Sequence, residues 1–97
     1  MRVSPHPEAE QELTAAFDYY ERCQPGLGGD FLDEFERGVI LIRQNPEAWP
    51  LIEKGARRCL LRRFPYCIVY KVGMTEILLV AVMHNKRRPF YWKSRVR

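Results

Sequence analysis

The stretch RRCLLRRFPYCIVYKVGMTEILLVAVMH, residues 57–84, decides the fold. It divides into three runs rich in β-branched, aromatic and leucine residues: RRCLLRRF (57–64), PYCIVYKV (65–72) and EILLVAVMH (76–84). Pro65 and Gly73 stand near the breaks. Runs of this length and composition with turn formers between them predict three successive antiparallel strands. In the middle run, alternation sends Tyr66, Ile68, Tyr70 and Val72 to one face and Cys67, Val69 and Lys71 to the other. The last run is apolar on both faces, as befits a central strand lying beneath helices. Its core, ILLVAVM (77–83), suits a buried strand and falls far short of the ~20 residues needed to span a membrane.

Upstream the period changes from two to about 3.6. Pro7 sits well at a first helical position and Glu8, Glu10 and Glu12 follow, both of which favour a helix start. Ala9, Leu13, Ala16, Phe17 and Tyr20 then mark one helical face. QPGLGG (24–29) stops this helix, and Gly29 or Asp30 is placed to cap a second. The second carries Phe31, Leu32, Phe35, Val39 and Ile42 at helical spacing. It ends at Asn45–Pro46, because a residue before proline avoids the helical region. A short Gly-rich turn between two helices predicts an antiparallel hairpin. The expected class is therefore α+β: an N-terminal helical hairpin packed on a small antiparallel β-sheet, with a possible short edge strand at residues 1–4. The length of 97 residues suits one domain over 1–97.

Charge is divided unevenly along the chain. Residues 1–56 hold five Lys/Arg against eleven Asp/Glu, a net of −6, whereas residues 57–97 hold eleven Lys/Arg against Glu76 alone, a net of +10. Such polarity within a small domain points to an anionic partner, either nucleic acid, the ribosome or an acidic protein. The acids of the helices, Glu8, Glu12, Asp33 and Glu36, are expected on a solvated face. Cys23, Cys59 and Cys67 form no CxxC pair, and the two histidines lie far apart, so neither a metal site nor any cofactor is expected. The thiols are expected to be reduced and mostly buried. The opening MRVSPHPEAE has no apolar signal core, which implies a cytoplasmic location and no membrane partner.

The order of elements and five stretches together resemble the RelE/ParE toxin superfamily of type II toxin–antitoxin systems, and more nearly its ParE-like branch. The stretches are PHPEAEQEL (5–13), DYYE (18–21), NPEAWP (45–50), RRFPYCIVYKV (62–72) and VAVMHNKRRPFYWKSR (80–95). The last two are the most specific, and the resemblance spans nearly the whole chain. It implies a toxin neutralised by a cognate antitoxin, ParD-like or another small protein. Two activities compete within the superfamily. ParE-like members poison DNA gyrase and are linked with plasmid stabilisation, while RelE-like members cut mRNA on the ribosome.

RNA cleavage requires a base for the 2′-hydroxyl, cations for the crowded phosphate and an acid for the leaving oxygen. On the RelE-like pattern, the strand arginine that follows the tyrosine is here Cys67, in YCIVY (66–70), and a thiol cannot clamp phosphate as a guanidinium does. Arg58 matches one of the two usual cations of the preceding strand, but Leu60 occupies the other position. Tyr91 matches the C-terminal tyrosine, and His84 stands where a general base would be useful. A nuclease would therefore rest on His84, Arg58 and Tyr91. The alternative role for His84 is to hydrogen-bond the turn after the strand and fix the tail. The tail itself, NKRRPFYWKSR (85–95), interleaves cations with aromatics, which suits either stacked nucleobases or a protein hot spot. The expected target-binding residues are His84, Lys86, Arg87, Arg88, Tyr91, Trp92 and Arg95, with at least one of the three aromatics in the core. The preferred reading is a gyrase-binding toxin without catalysis. The alternatives are an mRNA endoribonuclease and an inactive scaffold that persists as an antitoxin-bound co-regulator.

Overall fold

Each element forms where local chemistry favours it, and the computed structural model describes residues 1–96. Strand β1 (Arg2–Pro5) leads directly into α1 (Pro7–Cys23), with Pro7 at the first helical position and His6 as the N-cap. The His6 ring nitrogen Nδ1 accepts from the Glu8 N–H at 3.1 Å, satisfying one of the orphan donors of the first turn. Helix α2 (Leu27–Gln44) follows, then β2 (Arg57–Leu60), β3 (Tyr66–Val72) and β4 (Glu76–His84).

The four strands lie in the order β1-β4-β3-β2. The pairs β2–β3 and β3–β4 are antiparallel as expected, but β1 runs parallel to β4, so the sheet is mixed rather than purely antiparallel. The reason is topological. β1 pairs along the outer edge of β4 in the same direction, from Arg2 opposite Glu76 to Pro5 opposite Leu79, and the chain enters α1 directly from that edge.

Two boundaries differ from the sequence-based expectation, and each difference has a carboxylate behind it. Helix α2 begins at Leu27 rather than near Asp30. Its N-cap is Gly26 at φ 90°, a left-handed conformation that glycine adopts without strain. The Glu21 carboxylate of α1 accepts from the Gly26 and Gly28 N–H groups, both at 3.0 Å, and so caps the helix from across the hairpin. Gly28 also permits the close approach of the helices, since a Cβ there would stand 2.8 Å from the Phe17 carbonyl oxygen. Strand β2, expected to reach Phe64, stops at Leu60. Buried Glu34 of α2 accepts from the Arg62 N–H at 2.9 Å and the Arg63 N–H at 2.9 and 3.1 Å, holding the residues beyond the last bond to β3, Leu61 N–H to the Tyr66 carbonyl, in a tight turn over 61–65.

The main core lies between the helices and the sheet. Ala16, Phe31 and Ile42 from the helices pack on Cys59, Ile68, Tyr70, Ile77, Leu79 and Val82. The alternation read from β3 holds. Ile68 and Tyr70 face the helices, while Cys67 and Val69 face away. In β4 it is interrupted by a bulge: Val69 pairs with Ala81 and Tyr70 with Leu79, leaving Val80 as an extra residue. Ile77, Leu79 and then Val82 consequently face the helices, whereas Val80, Ala81 and Met83 share the opposite face.

Replacing Glu34 with alanine would leave two backbone donors of the 61–65 turn without their acceptor. The expected loss is about 1–3 kcal/mol, the cost of orphaned buried polar groups. For a chain of this size, each kcal/mol should lower the melting temperature by roughly 4–8 °C. Thermal unfolding of Glu34→Ala beside Glu34→Gln checks this, with the amide, which keeps one acceptor oxygen, losing less.

Candidate functional site

The chain after β4 does not hang free as a basic tail. Residues 85–96 fold back over the sheet face opposite the helices and close a second, smaller core. Trp92 (1% exposed) and Val96 pack there with Ala56, Cys67, Val69, Val80, Ala81 and Met83. Phe90 adopts φ 59°, a strained value for a non-glycine residue. This turn, with the Lys93 N–H donating to the Phe90 carbonyl at 3.0 Å, brings Tyr91 and Trp92 onto the sheet.

The strap is tied down at the bulge of β4. β1 ends opposite Leu79, where the His6 N–H donates to the Leu79 carbonyl at 2.9 Å, and from Val80 onward the outer edge of β4 has no strand beside it among the described residues. Glu12 of α1 and Arg95 of the strap occupy that gap. Glu12 accepts from the Val82 N–H at 3.0 Å, and Arg95 donates to the Val80 carbonyl at 3.0 Å. The two side chains also pair in a bidentate fork at 2.9 and 3.0 Å, and the Tyr91 hydroxyl donates to Glu12 at 2.5 Å. Burial by itself would lower the affinity of Arg95 for its proton, but the bond and charge of Glu12 outweigh it and the guanidinium stays charged. Burial and the hydrogen bond to Glu12 together push the Tyr91 hydroxyl well above its ordinary range.

This geometry revises several expectations. Glu12 is not a solvated acid: its side chain is 16% exposed, and that of Arg95 only 8%. Arg95 and Trp92 belong to the interior and cannot present a surface to a target. Tyr91 lies partly buried between the guanidinium groups of Arg87 and Arg95, 4.0 and 5.1 Å from its ring centre. Lys86, Arg87 and Arg88 are exposed. His84 does what its structural role required. Its Nδ1 accepts from the Lys86 N–H at 3.1 Å, its carbonyl accepts from the Arg87 N–H at 2.9 Å, and its ring meets Tyr66 edge-on.

Two of the residues a nuclease would use, Arg58 and Tyr91, lie at different parts of the sheet. Arg58 is an exposed residue of β2, while Tyr91 is fixed to Glu12 beyond the far edge of β4. Two strand spacings, each about 4.8 Å, separate β2 from β4. Cys67 is fully buried beneath the strap, and burial pushes its thiol up to about 11. Among the described residues all three cysteines are free thiols, Cys23 exposed and the other two buried. No group of three or more His, Cys, Asp or Glu side chains among them is placed to hold a metal ion, and no helix is long and apolar enough to cross a membrane.

The fold recurs in known proteins. The family model described as "ParE toxin of type II toxin-antitoxin system, parDE" matches residues 3–89. Among solved structures, the chain resembles one titled "Chromosomal ParDE TA system from P. aeruginosa", with a TM-score of 0.77 and 23% identity. The match covers 87% of this chain and 95% of that one, a likeness of fold. No curated protein matches.

The buried thiol makes stability sensitive to alkali. Folding holds Cys67 protonated up to about 11, above its ordinary value of 9.0, so its contribution is complete below pH 9 and is lost as pH rises from 9 to 11. At 1.36 kcal/mol per pH unit, this amounts to about 2–3 kcal/mol. Tyr70, raised to about 12 by burial, extends the loss to higher pH. Urea unfolding between pH 7 and 11 should show this decline. Cys67→Ala should start less stable at pH 7 yet fall less steeply above pH 9.

Proposed function

Because the chain belongs to the ParE toxin family of type II toxin–antitoxin systems, we propose that it arrests growth by binding and poisoning DNA gyrase in the cytoplasm and is neutralised by a cognate antitoxin. One observation carries the choice of a binding mechanism over catalysis. The groups an mRNA endonuclease would use are engaged in structure, with Tyr91 on Glu12, His84 on the Lys86 amide, and buried Cys67 where the strand cation of RelE-like enzymes would stand. Exposed Lys86, Arg87 and Arg88, on a turn anchored by His84, offer a contact surface to the target, gyrase with its bound DNA.

The antitoxin reading draws support from a second region. Between α2 and the edge strand β2 lies an open cleft of about 390 Å³, lined by Leu41, Trp49, Leu60 and Leu61, with Arg37 and Arg62 also on its wall. Leu60 is 57% exposed and Leu41 42%. Apolar surface of this kind between cations suits a partner segment that combines an apolar anchor with acidic neighbours.

The protein should inhibit supercoiling by purified gyrase and leave cleaved DNA complexes, while reporter transcripts in a translating extract stay intact. Lys86→Ala/Arg87→Ala/Arg88→Ala should weaken inhibition at least tenfold, or about 1.4 kcal/mol. His84→Ala should cost only about 1–2 kcal/mol through the loosened turn. Loss of a general base would instead reduce turnover by roughly 10²–10⁴-fold. Codon-phased mRNA cleavage that depends on His84, with gyrase unaffected, would overturn this reading.

A further inference from the structure

Two hydrogen-bonded turns meet at one end of the sheet. The Asn85 N–H donates to the Pro65 carbonyl at 2.8 Å, joining the turn after β4 to the 61–65 turn, while Tyr66 and His84 pair across the adjoining strands. Each turn is fixed through its backbone. Buried Glu34 consumes the Arg62 and Arg63 N–H groups, and His84 consumes those of Lys86 and Arg87. With their main-chain donors occupied inward, these residues are free to direct their side chains to solvent. Arg62, Arg63, Lys86, Arg87 and Arg88 are all exposed.

Little neutralises this rim. Arg63 has a loose, exposed ion pair with Asp30 at 3.6 Å, and Arg87 lies against the Tyr91 ring. Among the described residues no salt bridge holds Arg62, Lys86, Arg87 or Arg88. Five cations on two preordered turns lose little side-chain or loop entropy when a polyanion arrives.

We infer that this rim, formed by the 61–65 and 84–88 turns, is a binding surface for the phosphate backbone of duplex DNA. The surface composition favours nucleic acid over an acidic protein. A protein interface is organised around a desolvated apolar or aromatic centre. Here most neighbouring aromatics are withdrawn: Phe64 is 6% exposed, Trp92 is buried in the second core, Tyr91 turns its hydroxyl inward to Glu12, and Phe90 alone of the four is exposed, at 38%. What is left outside is mainly guanidinium and ammonium, which bind phosphate without reading base sequence. This goes beyond the gyrase reading and adds a direct contact with DNA.

Fluorescence anisotropy with a labelled 20-base-pair duplex and the purified full chain tests it. Binding in the micromolar range at 50 mM salt is expected, weakening on the order of 10²-fold by 200 mM if about four phosphates are contacted. Arg62→Ala/Arg63→Ala and Lys86→Ala/Arg87→Ala/Arg88→Ala should each weaken binding at least tenfold and flatten the salt dependence. Both sets alter solvent-facing side chains and keep every backbone donor, and circular dichroism verifies folding. Arg43→Ala/Lys54→Ala, with both residues outside the two turns, should bind within twofold of the natural chain. Absence of duplex binding at 50 mM salt would overturn the proposal, as would rim variants that bind within twofold of the natural chain. So would polyglutamate competing as effectively as DNA at equal charge, since that would make the rim a site for acidic protein. Gyrase inhibition that persists without any duplex binding would discard this inference and leave the gyrase reading intact.

Discussion

The carboxylate of Glu12 ties three parts of the molecule, α1, β4 and the C-terminal strap, to one another at a single point. It accepts four hydrogen bonds, from the Val82 N–H, the Tyr91 hydroxyl and both terminal nitrogens of Arg95. A largely buried carboxylate is costly unless every lone pair finds a donor and a cation stands beside it. Both conditions hold here, and Arg95 in turn satisfies the Val80 carbonyl exposed by the bulge. α1, β4 and the strap are thus fixed to one another at the point where β1 gives out.

The rest of the surface follows from that constraint. With Arg95 anchored, Trp92 and Val96 cover the sheet face opposite the helices and give an eleven-kilodalton chain a second core. The same fixation divides the C-terminal cations. Arg95 goes inside, and Lys86, Arg87 and Arg88 stay outside on a turn held by His84. A sheet face closed by indole is poorly suited to RNA chemistry, whereas an ordered basic rim suits contact with a large anionic target.

Most of the fold was legible in the sequence because periodicity reports burial. The strand alternation in YCIVYKV, the helix start at Pro7 and the helix end at Asn45–Pro46 all appear where local chemistry puts them. The parallel pairing of β1 was not legible, since four residues carry no directional signal. The tail was read only in part. Its composition announced cations and aromatics, but which ones turn inward depends on an acid 83 residues away from Arg95. A signal for that acid did exist. Glu12 lies three residues after Ala9 and four before Ala16, and Glu34 lies three after Phe31 and four before Gly38, so each falls on the buried stripe of its helix. An acid at a core position demands a donor. Composition alone hides that demand, because helical acids such as Glu12 are expected on a solvated face.

The organising role of Glu12 is tested most directly by a double-mutant cycle. Unfolding free energies would be measured in urea for the natural chain, Glu12→Ala, Arg95→Ala and the double variant. Each single change strands a buried partner and should cost about 3–5 kcal/mol. The double change should cost well below the sum, giving a coupling energy of roughly 1.5–3 kcal/mol, within the range for contacting residues in one network. Additive losses, with coupling below about 0.5 kcal/mol, would mean that the carboxylate and the strap act independently. That result would contradict the account.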